Sequence, residues 1–402
     1  MNQSDSHREL VKELWLAGVA RVRGDKAIKI ALQQDKANKI DYLIVIGKAA
    51  ESMFIGAKAW LAKDAKVLII TKYGHVSGLL EKTANLEVLE SGHPIPDKNS
   101  LLAGKKLVSF VQSIPGNKTL FMLISGGASA LAEHLPDEFS FKKLKQITQT
   151  MIENDLDIEE INTVRIRVSN IKGGKLFQHF NGTDIKVYAI SDVPTDDIRI
   201  IGSGIGSNIT MQSASLPSCV NTFLQHLSPE ENLTTDKVFQ YKHHIIASNK
   251  LAREAIVKLA EEKNLTVRQN MDCLSQNINQ AANIVIKAIL SGKPGVYIYG
   301  GEPTLELPEK PGSGGRNQHF ALLIAQGIQN REDITVIVAG TDGSDGPTKY
   351  AGAIVDGEIY NKDADVYINN ADSGSFLAQQ NALFSSGPTG TNVMDLIIAL
   401  KV

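Results

Sequence analysis

Lys48 is a candidate for work on an anionic substrate. It follows the apolar run at residues 42–46 and a glycine, and a stretch of helical pattern begins directly after it. A cation near a helix N-terminus is disfavoured by the helix dipole, so a lysine there should bring another benefit. An ammonium aimed into a cleft can neutralise a phosphoryl group during its transfer. A solvated lysine is the simpler explanation of this segment taken alone.

A glycine-rich segment that could bind phosphate follows the apolar run at residues 119–124. It consists of Ser125, Gly126 and Gly127, and Ser129 comes shortly after. Small residues let backbone N–H groups approach an anion, and the N-terminus of a following helix would add a favourable dipole. A tight turn between a strand and a helix explains the same residues.

A second candidate anion site is centred on an arginine. Gly314 and Gly315 precede Arg316 and Asn317, and an apolar helical stretch follows. The planar guanidinium of arginine pairs with a carboxylate or a phosphate through two hydrogen bonds. Anion binding and a structural helix cap are both open here.

Several carboxylates also follow strand-like runs. Asp342 and Asp345 lie in a glycine-rich turn, and Glu302 follows a pair of glycines. Anionic oxygen ligands suit a hard cation such as Mg²⁺, although many surface turns have the same composition. Asp192 comes after the run at residues 185–190, where it could accept a hydroxyl proton, hold a metal or form an Asx turn.

One histidine has a restrained backbone. His93 stands between Gly92 and Pro94, and Pro96 follows it closely. Proline fixes its own φ and restricts the residue before it, so the position of His93 should be well defined. The ring could line a pocket, or it could be a hydrogen-bonded structural residue.

The elements that must position these residues are short apolar runs separated by amphipathic stretches. Most of the runs show no polar alternation, so helices should cover both faces of their sheet. Ligands in such sheets bind beyond the carboxyl ends of the strands, which is where the candidate residues lie. We therefore predict an α/β protein with a parallel or mixed sheet.

The chain should form two domains. Its 402 residues exceed the usual size of a single domain, and the periodicity fades around residues 207–237 into Ser, Pro, Asn and Thr. A second series of strand-like runs begins at residue 296. The predicted division gives residues 1–240 to a larger Rossmann-like α/β domain and residues 241–402 to a smaller α/β domain. One strand could be donated across this boundary.

Composition excludes several classes of protein. The 42 Lys and Arg and the 44 Asp and Glu give a formal net charge of −2, so no global positive field attracts nucleic acid or an anionic membrane. The apolar runs are too short to span a membrane, and the polar N-terminus has no signal sequence. Cys219 and Cys273 lie far apart and without metal-ligand spacing, which favours a reducing cytoplasm over a disulfide framework or a zinc site.

Familiar catalytic motifs are missing from the sequence. It contains no GxxxxGK[ST], no GxSxG and no HExxH. Residues 202–207 resemble a dinucleotide-binding fingerprint, but Ser207 occupies the third glycine position and no long amphipathic helix follows. We therefore do not predict a nicotinamide site there.

An ordered set of short motifs extends over nearly the whole chain. They lie at residues 46–50, 71–75, 92–97, 124–127, 160–165, 171–176, 191–193, 300–302, 314–318, 339–343, 345–347 and 387–392. Each motif is weak alone, but the ordered set is specific. Together they resemble the motifs of the MOFRL-type glycerate kinases (glycerate 2-kinases).

This resemblance implies a fold, a reaction and three catalytic residues. It implies a two-domain α/β protein with its active site in the interdomain cleft. The implied reaction moves the γ-phosphate of ATP to the 2-hydroxyl of D-glycerate, with Mg²⁺. On this interpretation Lys48 stabilises the transferring phosphoryl group, and Arg316 holds the glycerate carboxylate or the γ-phosphate. Asp192 is the candidate general base.

The other candidate residues take their roles from the same resemblance. The residues assigned to nucleotide and phosphate binding are Ser125, Gly126, Gly127, Ser129, Gly314, Gly315 and Asn317. The residues assigned to the substrate are His93, Lys72 and Arg165. The residues assigned to the metal are Asp342, Asp345 and Glu302.

Some positions depart from the family pattern. Ala128 stands where the family usually has a third glycine, Pro194 stands where it has a small residue, and His319 stands where it has glutamate. These departures bear on substrate identity and nucleotide affinity more than on the fold.

Two other functions are compatible with the sequence. One is an NAD(P)H-dependent hydroxypyruvate reductase, whose only candidate cofactor site is the segment at residues 202–207. The other is a non-catalytic protein that binds a sugar acid or a nucleotide. The expected partners are small molecules, ATP and D-glycerate, and the oligomeric state stays open, a homodimer included.

Overall fold

The computed structural model describes residues 3–77, 85–154, 156–209, 214–225, 227 and 239–402. Two compact units form. The first domain is Gly24–Ile246, and the second domain combines the residues up to Arg23 with Ala247–Val402. This division differs from the expected one, which ended the first domain at residue 240 and placed the N-terminal segment in it.

The N-terminal helix explains most of that difference. Helix α1, Gln3–Val22, packs within the second domain, where Trp15 is fully buried. The indole Nε1 donates to the carbonyl oxygen of Ala339 at 3.4 Å, and its ring meets Phe384 edge-on at 5.0 Å between centroids. A cluster this buried ties α1 to the second domain, although the chain later leaves that domain for more than two hundred residues.

The first domain is built on a six-stranded sheet. Its spatial order is β3-β2-β1-β4-β5-β6, and the five strands from β3 to β5 pair in parallel. The strands are β1 (Ile40–Ile46), β2 (Leu61–Lys72), β3 (Leu86–Ser91), β4 (Thr119–Ile124), β5 (Asp184–Ile190) and β6 (Gln240–Ala247). Apolar runs without polar alternation form β1 and β4, because both faces of these central strands are buried.

Helices connect and cover these strands. They are α2 (Gly24–Gln34), α3 (Ala50–Ala57), α4 (Lys98–Gln112), α5 (Ala128–Leu131), α6 (Phe141–Glu153), α7 (Ile158–Arg167) and α8 (Ser218–Leu224). Short 3₁₀ segments lie at Lys58–Trp60, Lys175–His179 and Ile201–Gly204. The main core of the domain includes Ile44, Met122 and Val187, all fully buried.

The second domain contains a mixed sheet in the order β11-β10-β9-β12-β8-β7. Its strands are β7 (Val267–Leu274), β8 (Gly295–Gly301), β9 (Ile334–Gly340), β10 (Gly352–Asp356), β11 (Leu383–Phe384) and β12 (Asp395–Lys401). Strand β12 lies between β9 and β8 and is antiparallel to both, whereas β7 and β8 are parallel. The strand that is last in the sequence therefore occupies the middle of this sheet.

The remaining helices belong to the second domain. They are α9 (Asn249–Glu262), α10 (Ile278–Ser291), α11 (Arg316–Gly327), α12 (Ala364–Asn369) and α13 (Ser373–Gln379). Helix α1 packs on α9, where a Cβ on Gly18 would lie 2.8 Å from the side chain of Ile256. None of the described helices is long and apolar enough to cross a membrane. The predicted α/β class with two domains is confirmed.

Candidate active site

The parallel strands of the first domain bring five sequence segments to one edge of the sheet. Lys48 follows β1, Lys72 ends β2, His93 follows β3, Ser125 follows β4, and Asp192 follows β5. Parallel strands end on the same side of their sheet, so these segments meet although they are up to 144 residues apart in the sequence. The topology thus places most of the candidates of this domain together.

The electrostatics of His93 show which charges are close to it. Its pKa is lowered to about 4, first because the ring is buried and then because the charges of Lys48, Lys72, Arg165 and His75 act on it. The imidazole is therefore neutral at physiological pH. We call these five residues the cation cluster.

The cations of this cluster lack counter-ions. Among the residues that the structure describes, no carboxylate forms an ion pair with Lys48, Lys72 or Arg165, and no side-chain hydrogen bond ties their charged groups. Burial lowers the pKa of Arg165, and the charge of Glu133 offsets part of that effect. Three like charges held together without a partner favour an anion at this place.

Backbone contacts hold the loops that carry the cluster. Lys48 donates its backbone N–H to the carbonyl oxygen of Gly126 at 2.9 Å, and His75 Nδ1 donates to the carbonyl oxygen of Lys48 at 3.2 Å. The hydroxyl oxygen of Ser125 accepts the N–H of Ala49 at 3.0 Å and is fully buried. Ser125, predicted to bind phosphate, thus links the loops after β1 and β4.

The glycine at position 127 is required by its neighbours. It has φ +88°, and a Cβ there would lie 2.9 Å from the ring of His93 and 3.3 Å from Cγ of Lys48. The helix that follows, α5, has only four residues. The favourable helix dipole expected beside this loop is therefore not available, and the positive charge comes from side chains.

The segment at residues 202–207 packs on the loop after β4. Gly202, Ser203 and Gly204 all have positive φ, and a Cβ on Gly202 would lie 3.1 Å from Cβ of Ala128. Ser203 Oγ lies 2.8 Å from Ser129 Oγ. No helix follows directly, so the geometry differs from a dinucleotide-binding turn, which needs a helix N-terminus.

The second candidate site, in the second domain, is a network around Arg316 at the start of α11. Its Nε and Nη2 donate to Oδ2 of Asp395 at 3.0 and 2.8 Å, and Nη1 donates to Oε1 of Glu302 at 2.9 Å. Burial raises the pKa of Asp395, and the guanidinium opposes that shift. Two of the five N–H groups of Arg316 remain for a further ligand.

Asp345 has a structural position in this network. Its Oδ1 accepts the backbone N–H of Asn317 at 2.9 Å, and its Oδ2 accepts that of Gln318 at 2.8 Å. A Cβ on Gly315 would lie 2.3 Å from this carboxylate, which explains the glycine. The carboxylate therefore caps α11, while Asn317 Nδ2 donates to Asp395 at 2.8 Å. Gly314, with φ +144°, leads into this cap.

The three residues assigned to the metal do not converge. Asp345 caps a helix, Glu302 pairs with Arg316, and Asp342 accepts the N–H of Ser344 at 2.9 Å in a local turn. Within the described parts of the chain, no three His, Cys, Asp or Glu side chains are grouped to hold a metal ion. The donor set does not fit a metal centre built from these side chains alone.

His319, the departure from the usual glutamate, is buried in the second domain. Its Nδ1 lies 3.0 Å from the hydroxyl of Ser373, and burial lowers its pKa. The ring is thus a buried structural group whose lowered pKa favours the neutral form.

Three residues of these sites are not among the candidates that the sequence predicts. His75 lies in the motif at residues 71–75, which by itself indicates no role for the histidine. Asp395 stands alone before an apolar run, and Ser203 lies in the rejected fingerprint. Their positions depend on contacts between distant segments.

Comparison with known proteins agrees with this architecture. Residues 10–234 match the model of a domain of unknown function, DUF4147, and residues 295–395 match the MOFRL family. A D-glycerate 2-kinase from Thermotoga maritima is 30% identical, covering 100% of each chain. A glycerate 2-kinase from Pyrococcus horikoshii is 34% identical over 94% of this chain and 91% of that protein.

Solved structures give the same result. A crystal structure of glycerate kinase from Thermotoga maritima has a TM-score of 0.85 at 30% identity and covers 99% of this chain and 100% of its own. A protein from Pyrococcus horikoshii has a TM-score of 0.74 at 29% identity, with 98% of both chains covered. The chain therefore belongs to the MOFRL-type glycerate kinase family, with a DUF4147 domain and a MOFRL domain.

Proposed function

We propose that this protein transfers the γ-phosphoryl group of ATP to the 2-hydroxyl of D-glycerate. The names of its relatives support the reaction class. The observation that carries the proposal to this chain is the cation cluster, where Lys48, Lys72 and Arg165 have no counter-ion among the described residues. A phosphorylated product and a carboxylate substrate both need such compensation.

Each cation has a task in this proposal. Lys48 neutralises the phosphoryl group during transfer, because it is a compact charge next to the glycine loop. Arg165 and Lys72 hold the carboxylate of D-glycerate, and the neutral ring of His93 donates or accepts one hydrogen bond. Asp192, at the same sheet edge, accepts the proton of the reacting hydroxyl.

In the first domain, the proposed phosphate-binding groups are backbone N–H groups. Gly126 and Gly127 offer a surface without side chains beside Lys48. Arg316 offers its two remaining N–H groups to an anionic oxygen. Asn317, whose side-chain Nδ2 donates to Asp395, helps to hold the carboxylate that pairs with Arg316.

Mg²⁺ enters this proposal as part of the nucleotide complex. Mg²⁺ in kinases is commonly held by substrate phosphates with one or two carboxylates and water. Among the described residues, the carboxylate of Asp342 bonds only to Ser344 in its own turn, unlike the carboxylates of Asp345 and Glu302. It is the proposed protein ligand, and Asp345 is not.

A cytoplasmic location agrees with the use of ATP. We further propose that nucleic acid is not a partner, since the net charge is −2. A homodimer is compatible with the sequence, and sedimentation at several protein concentrations tests it.

The reductase alternative is supported by the names of two relatives, but the segment considered as its cofactor site has the wrong geometry. Two relatives from Agrobacterium vitis, both 28% identical, are called putative hydroxypyruvate reductases. The segment at residues 202–207 is a 3₁₀ turn with three positive φ values. In the Rossmann fold, the pyrophosphate of the dinucleotide lies instead at a glycine turn that opens a helix.

One set of assays tests the proposal. Purified protein is incubated with D-glycerate, ATP and Mg²⁺, and ³¹P NMR identifies the product. We expect ADP and 2-phosphoglycerate in equal amounts. A product phosphorylated on the 3-hydroxyl would show that the 2-hydroxyl is not the acceptor. NADH oxidation with hydroxypyruvate, without ADP formation from D-glycerate, would overturn the kinase assignment. Glycerate binding without either reaction would support a binding protein.

A further inference from the structure

A cavity in the first domain is lined by both Arg165 and Ser129. Its apolar wall includes Pro94, Pro96 and Val164. Glu133 and Lys172 also line the cavity and pair with each other, whereas Arg165 forms no ion pair among the described residues, so its guanidinium can hold a further carboxylate. Ser129 is half-buried and contributes a hydroxyl to the lining.

Three side chains form a hydrogen-bonded series that ends at this cavity. Ser203 Oγ donates to Oδ1 of Asn162 at 2.9 Å, and Ser129 Oγ lies 2.8 Å from Ser203 Oγ. A hydroxyl carries one hydrogen. Since Ser203 gives its hydrogen to Asn162, the bond between the two serines must use the hydrogen of Ser129. The only hydrogen of the Ser129 hydroxyl is therefore already donated to Ser203, and its oxygen can only accept a further hydrogen bond.

The middle member of the series is fixed in place. Ser203 has φ +56°, is 2% exposed, and its backbone carbonyl accepts the N–H of Gly173 at 2.9 Å. Its backbone N–H donates to Ile200 at 2.9 Å. A residue held this firmly keeps its hydroxyl on the line between Asn162 and Ser129, so the direction of the series is built into the fold.

We propose that Ser129 selects the substrate by accepting a hydrogen bond from the hydroxyl that is not phosphorylated. This inference rests on the proposed function, in which the 2-hydroxyl reacts and the 3-hydroxyl of D-glycerate keeps its proton. A neutral serine oxygen is no base, so it suits a hydroxyl that retains its hydrogen. Arg165 holds the carboxylate of the same molecule. The predicted substrate class is a 2-hydroxy acid with a second hydroxyl.

The test compares three acceptors that all carry the 2-hydroxyl. They are D-glycerate, D-lactate, which lacks the 3-hydroxyl, and 3-fluorolactate of the same configuration, whose fluorine accepts but cannot donate. For the native protein we expect kcat/KM for D-glycerate to exceed that for D-lactate at least about 30-fold, because a site built for a hydroxyl disfavours an analogue without it. The fluoro compound should be as poor as D-lactate.

Ser129→Ala should reduce the preference for D-glycerate over D-lactate about tenfold, as one hydrogen bond predicts. Ser109→Ala, an exposed serine of α4, should leave the preference unchanged. If Ser129→Ala does not fold, Ser203→Ala serves instead: it frees the hydrogen of Ser129, so 3-fluorolactate should improve relative to D-lactate.

The outcomes separate the two proposals. A native protein that phosphorylates D-glycerate, with a preference that Ser129→Ala leaves intact, overturns the role of Ser129 alone. A native protein that uses 3-fluorolactate as well as D-glycerate also overturns it, because Ser129 then donates. No phosphorylation of D-glycerate by the native protein overturns the proposed function, and this inference with it.

Discussion

At the residue scale, the side chain of Lys48 has a chemical role that is separable from its structural one. The loop depends on the backbone of Lys48, whose N–H and carbonyl bond Gly126 and His75. Its ammonium has no ion pair within the described ranges. Lys48→Ala therefore removes charge and keeps the loop.

We expect Lys48→Ala to lower kcat by about 10²-fold or more, because a cation that stabilises the transferring phosphoryl group acts mainly in the transition state. The measurement is steady-state ADP release, with urea unfolding as the check on the fold. Lys105→Ala, on an exposed face of α4, is the matched control. A folded Lys48→Ala protein with native kcat would show that Lys48 is only a solvated lysine.

The pKa of His93 gives a second prediction. In the free protein it is about 4, because of burial and the surrounding cations. A bound anion offsets those charges, so the pKa should rise towards the ordinary value of about 6.5 when D-glycerate is added. Histidine NMR titrations, assigned with His93→Gln, measure it. His319, whose pKa is lowered by burial alone, should not respond. An unchanged His93 would place the anion elsewhere.

The sequence predicts the site residues that directly follow apolar strands, but not the residues whose positions depend on contacts between distant segments. Lys48 and Ser125 follow apolar strands that are visible as runs, so the sheet edge alone predicts their meeting. Arg165 comes from helix α7, and only the family resemblance indicated it. In the sequence, Asp345 lies in a glycine-rich turn that is typical of a metal ligand. Its actual role, the capping of α11, depends on a contact with a residue 27 positions away, which no local pattern encodes.

At the element scale, the N-terminus of α11 is held by one carboxylate. Asp345→Asn replaces an anion that accepts two backbone N–H groups, so we expect the free energy of unfolding to fall by about 2 kcal/mol. The Mg²⁺ concentration for half-maximal activity should not change. Asp342→Asn is the matched variant: it should raise that Mg²⁺ requirement and leave stability nearly native. A higher Mg²⁺ requirement for Asp345→Asn, with an unchanged requirement for Asp342→Asn, would assign the metal to Asp345.

The ion pair between α11 and β12 gives another element-scale prediction. The side chain of Asp395 is 4% exposed, so Arg316→Met leaves a buried carboxylate without its cation. We expect a loss of about 3 kcal/mol in urea unfolding. The double variant Arg316→Met with Asp395→Asn should recover much of that loss, because no buried charge is then unpaired. An Arg316→Met protein of native stability would show that this ion pair does not contribute to the free energy of unfolding.

Two strands of the second domain were not predicted, for different reasons. Strand β7 contains Arg268, Gln269 and Asn270 in its first half, and a polar edge strand has no apolar run to reveal it. Strand β12 is apolar, with two Leu, two Ile and one Ala, and a short apolar run of this kind cannot be told from a buried helix segment by its pattern alone. Its assignment requires its neighbours β8 and β9, which are known only from the folded sheet.

At the scale of the whole molecule, the first domain should be an independent folding unit. A fragment of residues 24–246 contains all six strands of its sheet up to Ile246, and its own core. We expect it to unfold cooperatively in urea. A fragment of residues 247–402 should fold poorly, because Trp15 of α1 is missing from its core, and adding residues 3–23 through a flexible linker should restore cooperative unfolding. If 247–402 folds equally well without them, α1 is an accessory.

The position of β12 in the second sheet sets the order in which the chain can fold during synthesis. Helix α1 is synthesised before the first domain, yet its partner α9 is made only after that whole domain. Strands β8 and β9 are synthesised next, but they cannot form one sheet until β12, residues 395–401, is synthesised and pairs with both of them. Until that moment two apolar strands keep unpaired edges, which are templates for aggregation. Nascent chains stalled before residue 395 should therefore carry a folded first domain and depend on chaperones for the rest.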